Sequence, residues 1–313
     1  MPIKIPNDLP ASKILKEENI FVMDETRALS QRIRPLKLII VNIMPTKIVT
    51  ETQLLRLLSN TPLQIEVDWL CMESHNSKNT SQEHLMEFYK TFNEIKDNKY
   101  DGLIVTGAPV EKLKFEDVDY WDELTNIFDW ANTNVFSSFF ICWASQASLY
   151  YYYGVEKYQL KEKLTGVYHH HTNPEKMRRR ILRGFDYQFY APHSRYTSVK
   201  KEDIEKIDSL DILASSNDAG VYLVAEKDGS RFFVTGHPEY DPDTLDKEYH
   251  RDLAKGGDCV MPKNYYKNDD VNDEILVKWR SHAYLLFSNW LNYYVYQSTP
   301  YNLDDLEKMK TPQ

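Results

Sequence analysis

Cys142 lies where a β-strand pattern gives way directly to a helical one, which makes it a candidate nucleophile. The run VFSSFFI at 135–141 is apolar and β-rich, and helix-forming residues follow Cys142 as far as Gly154, at a position where helices often end. The N–H groups and dipole of a helix that starts at such a turn favour an anion there, so this thiol should ionise more readily than a free one. A buried cysteine that only packs in the core is the alternative.

His237 is the candidate base for that thiol. It follows a β-rich run and Gly236, and Glu239 lies two residues further on. Positions two apart in an extended segment project to the same side, so Glu239 can hydrogen-bond one imidazole nitrogen while the other faces Cys142. The three residues predict a Cys–His–carboxylate triad, in which the histidine takes the thiol proton and the acid orients the ring. A histidine with a purely structural role is the alternative.

Two other clusters of basic side chains have weaker chemical interpretations. His169–His171 could suggest a metal, but adjacent histidines on one loop converge poorly on a single ion, and no carboxylate or thiol partner has ligand spacing. We therefore predict no metal site. The arginines at 178, 179, 180 and 183 are interpreted as a solvated or interface surface.

The elements that must position these residues show a β–α alternation. Strand patterns at 36–43, 63–70, 100–106 and 135–141 alternate with helical patterns, two of which fall at 47–59 and 82–95. This order predicts an α/β fold with a mostly parallel central sheet and helices on both faces. Ligands of such sheets bind at the carboxyl ends of the strands. Cys142 would meet the turns at 107–111 and 44–47 there.

The rest of the chain is less regular. The segment 158–183 has no clear periodicity, whereas strand patterns recur at 211–214, 221–225 and 232–235, the last two joined by the hairpin signal Asp228-Gly229. A long helical pattern covers 273–296. We divide the chain into a polar N-terminal arm at 1–35, lying on the surface or on a partner subunit, a single α/β domain at 36–298 and a polar tail at 299–313.

Composition argues against several classes of protein. The 313 residues include 47 acidic and 38 basic side chains, a net charge of −9, which provides no basic field to hold nucleic acid. No apolar run approaches the roughly 18 residues that cross a bilayer, and the three cysteines form no disulfide framework. We therefore expect a cytoplasmic protein that acts on small molecules.

The chain also resembles a known family, the homoserine O-acyltransferases of methionine biosynthesis, which have the class I glutamine amidotransferase-like architecture. The resemblance covers nearly the whole chain. The segments that carry it are MPIKIPNDLPA at 1–11, VNIMPTKIVTETQLLRLLSNTPLQIEVDWL at 41–70, DGLIVTGAPVE at 101–111, CWASQA at 142–147, LRGFD at 182–186, PHSRYT at 192–197, VTGHPEYD at 234–241 and EYHRD at 248–252.

This resemblance implies roles for individual residues. Cys142 matches an acyl-thioester nucleophile, His237 its general base and Glu239 the partner of that base. The backbone N–H of Trp143 would form an oxyanion hole together with an amide from the turn at Met44. The positions that match substrate contacts are Lys163, Ser194, Arg251 and, at the same edge, Lys47. The resemblance also implies an acyl-CoA cosubstrate, no permanently bound cofactor and a homodimer.

Position 111 bears on the choice of acyl donor. In the family that the chain resembles, glutamate here accompanies acetyl-CoA and glycine accompanies succinyl-CoA. A physical argument agrees, because Glu111 would place a negative charge beside the succinyl carboxylate. We therefore predict acetyl transfer to the γ-hydroxyl of L-homoserine through an acetyl-Cys142 intermediate. The alternatives are a succinyl-CoA-dependent enzyme, a cysteine hydrolase or glutamine amidotransferase, and a non-catalytic metabolite-sensing protein.

Overall fold

The computed structural model of the chain describes residues 3–4, 6, 9–18, 34–75, 79–256 and 259–306. Most of the arm predicted at 1–35 and the end of the tail predicted at 299–313 lie outside the described residues. No helix in the described ranges is both long and apolar enough to cross a lipid bilayer.

The described strands join in one sheet. They are β1 Ile3–Lys4, β2 Leu36–Val41, β3 Ile65–Leu70, β4 Tyr89–Lys90, β5 Tyr100–Val105, β6 Val135–Ile141, β7 Lys157–Thr172, β8 Gln188–Val199, β9 Leu210–Ser216, β10 Gly220–Glu226 and β11 Arg231–Val234. Their order is β1-β3-β2-β5-β6-β11-β10-β9-β7-β8, with β4 beside β3. Pairs from β1 to β11 are parallel, and those from β11 to β8 are antiparallel.

Helices cover both faces of the sheet. They are α1 Pro10–Glu17, α2 Lys47–Leu58, α3 Gln82–Phe88, α4 Phe92–Ile95, α5 Trp121–Asn134, α6 Trp143–Tyr153, α7 Lys201–Glu205, α8 Thr244–Ala254 and α9 Arg280–Trp290, which continues into a π-helical segment at Leu291–Tyr296. Together with the sheet, they confirm the predicted α/β class with a mostly parallel sheet.

Successive side chains of β2 point to opposite faces of the sheet and pack in two separate hydrophobic clusters. Leu38 and Ile40 pack in one hydrophobic cluster with α1, α2 and α9, whereas Ile39 and Val41 pack in another with α5 and α6. A strand that is buried on both faces needs a nearly continuous apolar run, and β2 has one apart from Lys37.

The register of the parallel strands aligns their carboxyl ends. Val105 of β5 pairs with Val41 of β2 and with Phe140 of β6, and Ile141 pairs with Val234 of β11. The turns that follow these four strands therefore lie side by side at one edge of the sheet. Cys142 and His237 reach this edge from different strands, as the β–α alternation predicted.

Three segments differ from the sequence-based expectations. The supposedly irregular region contains the 16-residue β7, whose first half is a largely solvent-exposed ribbon and so lacks an apolar alternation. The helical pattern at 82–95 is interrupted by β4, and the pattern at 273–296 becomes helical only at Arg280. The four strands predicted before Cys142, the Asp228-Gly229 hairpin and the start of α6 are confirmed.

The helix α1 lies inside the segment predicted as an arm. Leu9, Ala11 and Leu15 are fully buried in the same cluster as α2 and α9. At its end, the Glu18 carboxylate accepts two hydrogen bonds from Arg56 at 2.5 and 2.6 Å. The described residues 9–18 are therefore part of the packed fold, which the polar composition of the segment did not indicate.

Candidate active site

Cys142 occupies a sharp turn between β6 and α6. Its backbone adopts φ 51° and ψ −114°, a left-handed conformation that costs a non-glycine residue on the order of 1–3 kcal/mol. Its N–H donates to the carbonyl of Val234 at 2.7 Å, which ties the turn to β11. The side chain is 2% exposed and lines a cavity of about 430 Å³. The strained turn thus presents the thiol to this cavity.

The amide of Trp143 is the first N–H of α6. Among the described residues it has no hydrogen-bond acceptor, whereas the N–H groups of Ser145 and Gln146 donate to the carbonyl of Cys142. An unpaired N–H at a helix start, one residue after a nucleophile, can donate to an oxyanion formed beside the sulfur.

His237 and Glu239 form the predicted hydrogen bond. Nδ1 of His237 lies 2.7 Å from Oε1 of Glu239, and both side chains are almost completely buried. The N–H of His237 donates to the carbonyl of Pro192 at 2.8 Å, which fixes the backbone of the turn after β11. The acid therefore holds Nδ1 and leaves Nε2 for the cavity side.

Gly107 shows how close the thiol and the imidazole lie. A Cβ atom at this glycine would be 3.3 Å from Cβ of Cys142 and 3.3 Å from Cε1 of His237. Burial alone would lower the pKa of His237, but the neighbouring Cys142 and Glu239 anions outweigh it and hold that pKa well above the usual value. These charges therefore favour the imidazolium form of His237.

The ring of Tyr240 covers His237 on one face. The two ring centroids are 4.0 Å apart with an interplanar angle of 18°. The Tyr240 hydroxyl donates to Oε1 of Glu248 at 2.9 Å, and Oε2 of Glu248 accepts from the Ser194 hydroxyl at 2.5 Å. The imidazole is thus linked through one aromatic ring to the polar end of the cavity.

That polar end carries charges of both signs. Nζ of Lys163 donates to Asp252 at 2.9 Å and lies 3.7 Å from Glu248. Arg251 contacts Asp252 from the other side at 2.8 Å and keeps about half of its side chain exposed. Lys163, Ser194 and Arg251, which the resemblance indicated, all line the cavity that contains Cys142.

Glu111 lies in the wall of the same cavity. It is 9% exposed, and burial raises the pKa of its carboxyl group, against the opposing charges of His237 and Lys163. The Glu111 carbonyl accepts a hydrogen bond from Nζ of Lys157 at 2.8 Å, which anchors the turn after β5. An acidic group in the same cavity as Cys142 disfavours an acyl group that carries a negative charge.

Two predicted site residues have local hydrogen-bond partners. Met44 lines the cavity, and its N–H donates to Oδ1 of Asn42 at 3.2 Å, a contact that an oxyanion would have to replace or share. Nζ of Lys47 donates to the Asn42 carbonyl, and the side chain faces a neighbouring cavity of about 200 Å³ together with Cys71. Asn42 takes part in both contacts, through its side-chain oxygen for Met44 and through its backbone carbonyl for Lys47, and residue spacing alone does not show either.

The histidines at 169–171 lie on β7 and not on a loop. They alternate across the sheet, so that His170 is buried against the His193 ring while His169 and His171 lie on the other face. Within the described ranges, no group of three metal-ligating side chains is placed to hold an ion.

Two cavity residues escaped the sequence analysis. Tyr240 lies three positions after His237, and Glu248 lies three and four positions before Arg251 and Asp252 on α8. The helical spacing of EYHRD places all three α8 residues on one face. This helical spacing is the feature of the sequence that could have identified Glu248 as a residue of the site. The stacking of Tyr240 on His237 depends on the turn between β11 and α8, so no spacing in the sequence predicts it.

Solved structures define the class of fold. A glutamine amidotransferase from Thermotoga maritima matches with a TM-score of 0.53 and 12% identity, covering 83% of this chain and 98% of that chain. A second one, from Methylobacillus flagellatus, matches with a TM-score of 0.51 and 11% identity, covering 83% and 95%. The chain has a class I glutamine amidotransferase-like fold, and at these identities the similarity concerns the fold alone.

Sequence comparison identifies the family within that class. The model of the homoserine O-succinyltransferase family matches residues 2–301. A homoserine O-acetyltransferase from Catenibacterium mitsuokai is 72% identical over 311 residues, covering 99% of this chain and 100% of the relative. One from Petrotoga mobilis is 59% identical over 308 residues, covering 98% and 99%. The chain belongs to the homoserine O-succinyltransferase family and is an acyltransferase, which confirms the resemblance and the predicted enzyme class.

Proposed function

We propose that this protein is a homoserine O-acetyltransferase, which transfers the acetyl group of acetyl-CoA to the γ-hydroxyl of L-homoserine. The observation that carries the proposal is the 72% identity, over almost the whole of both chains, to a relative with that name. The cavity agrees, because it joins a buried thiol–imidazole–carboxylate group to a zwitterionic polar end. Such a cavity suits an acyl thioester in the first half of a transfer reaction and an amino acid in the second half.

The first half-reaction forms an acetyl-enzyme. The Cys142 thiolate attacks the thioester carbon, and the Trp143 N–H donates to the oxyanion of the tetrahedral intermediate. The bond to the CoA sulfur then breaks, and the leaving thiolate takes the proton that the His237 imidazolium holds. The charges of Cys142 and Glu239, which keep that imidazolium protonated, prepare it for this step.

The second half-reaction transfers the acetyl group to homoserine. Neutral His237 takes the proton of the γ-hydroxyl while the oxygen attacks the acetyl carbon, and the bond to Cys142 breaks to restore the thiolate. The Arg251 guanidinium suits the substrate carboxylate, and the Glu248 carboxylate suits its ammonium group. Lys163 and Ser194 hold the Glu248 side chain in place.

A succinyl-CoA-dependent reaction is the second candidate, which the description of the family model favours. Glu111 argues for acetyl-CoA, because its carboxylate would repel the terminal carboxylate of a succinyl group in a partly desolvated cavity. We expect Glu111→Gly to raise the ratio of succinyl to acetyl transfer by about tenfold or more. The exposed Asp117, which is not a cavity residue, supplies the control Asp117→Gly. An unchanged ratio in Glu111→Gly would remove Glu111 as the discriminator.

A donor-by-acceptor screen with purified protein tests the activity itself. We expect free CoA to accumulate steadily from acetyl-CoA only when L-homoserine is present, and intact mass spectrometry to show an acetylated enzyme without it. A hydrolase would release acetate without the acceptor, and a metabolite-binding protein would do neither.

The nucleophile is tested by Cys142→Ala, which should lose both turnover and the acetyl adduct. Cys71→Ala, a substitution in the neighbouring cavity, should keep both. Turnover and acetylation that persist in Cys142→Ala would refute the assignment of the nucleophile.

The cellular setting follows from this reaction. O-acetyl-L-homoserine is an activated intermediate of methionine biosynthesis, so we place the enzyme in the cytoplasm, and the resemblance to the family implies a homodimer with no permanently bound cofactor. Light scattering on the purified protein measures the oligomeric state, and a mass of about one chain would exclude the dimer.

A further inference from the structure

Arg195 is a buried cation without an acidic partner. It lies on β8, is 1% exposed, and within the described ranges forms no ion pair with a carboxylate. Its guanidinium donates instead to the carbonyls of Thr197 and Ala219, at 2.6 and 2.5 Å. Burying an arginine costs several kcal/mol unless another charge compensates it, so its position requires an explanation.

A chain of two neutral histidines holds this guanidinium. Nε of Arg195 donates to Nδ1 of His193 at 3.3 Å, Nε2 of His193 lies 3.0 Å from Nε2 of His170, and Nδ1 of His170 lies 2.9 Å from the Tyr168 carbonyl. Only one set of tautomers satisfies all three contacts: Nε2 of His193 and Nδ1 of His170 each carry the proton and donate. Burial lowers the pKa of both rings, that of His170 to about 3, so neither contributes a charge.

Arg195 is connected to the first turn of α6. The Thr197 carbonyl that accepts from Arg195 also accepts from Nε2 of Gln146 at 3.4 Å, and the Gln146 N–H donates to the Cys142 carbonyl at 3.3 Å. Burial lowers the pKa of the guanidinium, and the anions that oppose this include Cys142 and Glu111, both in the cavity wall. Tyr158 and Tyr168 act in the same direction, so the active site contributes two of the four groups, and Cys142 is the first of them.

We propose that Arg195 is a positioning residue whose buried positive charge favours the thiolate of Cys142, and that His193 and His170 hold it in place without adding a charge. The inference rests on the proposed function of Cys142. It gives a role to the central histidine of the sequence HHH and to the arginine of PHSRYT. Because Arg195 lies behind the site and does not line the cavity, it acts through the field at Cys142 and not by contact with substrate.

Other titratable groups also act on Cys142 and must stay constant in a test. His237 and Tyr240 belong to the turn after β11, and Glu111, which lines the same cavity, belongs to the turn after β5. Substitution of Arg195 changes none of them chemically. A shift in the ionisation of Cys142 can thus be assigned to the removed charge, provided that the variants fold.

The test is the pH dependence of Cys142 alkylation by iodoacetamide, resolved by peptide mass spectrometry. In Arg195→Gln and Arg195→Met, we expect the midpoint of the pH dependence of alkylation to move to higher pH by about one unit. Below the midpoint, this shift corresponds to an alkylation rate that is about tenfold lower. Arg195→Gln keeps donors for the carbonyls of Thr197 and Ala219, so it provides the measurement if Arg195→Met does not fold. Arg195→Lys, which keeps the charge, should remain near the native midpoint.

Arg231→Met is the matched control. This half-buried arginine pairs with Glu226 at the amino end of β11, away from the cavity, and its loss should leave the midpoint unchanged. A native midpoint in folded Arg195→Gln, or an equal shift in Arg195→Lys, would overturn the inference. If the native protein forms an acetyl-enzyme while Arg195→Gln and Arg195→Met are alkylated with the native midpoint, only this inference fails. If the native protein forms no acetyl-enzyme, the proposed function fails.

Discussion

At the scale of single residues, the candidate site combines a cysteine with a strained backbone, the proposed nucleophile, with a histidine, the proposed base, whose charge is set by its neighbours. Cys142 accepts an unfavourable φ of 51°, which turns its thiol out of the sheet edge. His237 is buried, yet the anions at Cys142 and Glu239 keep its pKa well above the usual value. The protonation state of His237 therefore depends on Cys142 and on the Glu239 carboxylate at 2.7 Å.

Replacement of that carboxylate should change the titration of the base. In Glu239→Gln the pKa of His237 should fall, because one of the two anions that raise it is removed. The ring would then lose its proton at a lower pH than in the native protein, and kcat should fall by about 10²–10⁴-fold. NMR titration of the His237 ring, with steady-state kinetics, measures both.

The exposed Glu156 offers a control for this substitution. Glu156→Gln should leave the titration of His237 and kcat as they are. A His237 titration curve in Glu239→Gln that coincides with the native one would contradict the assignment of Glu239 as its partner.

At the scale of elements, the site depends on how closely the turns after the parallel strands approach one another. Gly107 after β5 fits between Cys142 after β6 and His237 after β11, where an added Cβ atom would contact both more closely than is usual. Gly154, at the end of α6, has the opposite character: it adopts φ 68° in open space. One glycine is needed for proximity and the other for its backbone conformation.

Gly107→Ala should therefore damage catalysis more than folding. The added methyl group would lie 3.3 Å from both Cβ of Cys142 and Cε1 of His237, so it would push the thiol and the ring apart. We expect kcat to fall by about tenfold to a hundredfold, since small displacements of reacting groups are costly. Kinetics and thermal unfolding of the same preparation measure the two effects, and a native kcat would show that the contact is not critical.

Gly154→Ala should show the reverse pattern. An alanine forced into the left-handed region loses about 1–2 kcal/mol of unfolding free energy, while nothing near position 154 belongs to the site. Urea unfolding should detect this loss, with kcat unchanged. Gly154→Asn should be less destabilising, because asparagine tolerates that conformation, and equal stability of all three proteins would contradict the role of Gly154 as a helix cap.

At the scale of the whole molecule, the described N-terminal residues contribute to the core that supports the site. Leu15 of α1 is fully buried with α2, and Arg56 of α2 joins Glu18 to Asp241, a residue of the cavity wall. The helix α2 lies behind the turn that contains Met44. Side-chain packing and the ion pairs of Arg56 therefore connect α1 to the wall of the cavity.

Leu15→Ala should destabilise the protein by about 2–5 kcal/mol, because it removes a fully buried side chain from a packed core. The adjacent Ile14 is 38% exposed, so Ile14→Ala should change the unfolding free energy by only about 0.5 kcal/mol. Chemical denaturation compares the two variants. Equal effects would mean that the described N-terminal residues do not pack as a helix on the core.

Local patterns were sufficient for much of the fold. The apolar runs that became β2, β5 and β6, and the position of Gly154, indicated their elements because the spacing of buried positions follows the period of each element. The highly charged first half of β7 has no such period, since it is exposed on both faces. The predicted helix at 82–95 failed for another reason: Tyr89 and Lys90 pair with β3, a contact made by residues distant in sequence.

The sequence by itself determined which residue types could do chemistry and that Cys142 would stand between a strand and a helix, because these properties depend on neighbours along the chain. Only the tertiary structure decided that Asn42 occupies the Met44 amide, that Lys47 faces a different cavity, and that Tyr240 and Arg195 accompany the triad. The positions of Tyr240 and Arg195 near Cys142 depend on contacts between segments that are far apart in sequence, whereas the contacts of Asn42 with Met44 and Lys47 are local and depend on side-chain conformation. Their energies are set by distance in space, which one-dimensional spacing does not contain.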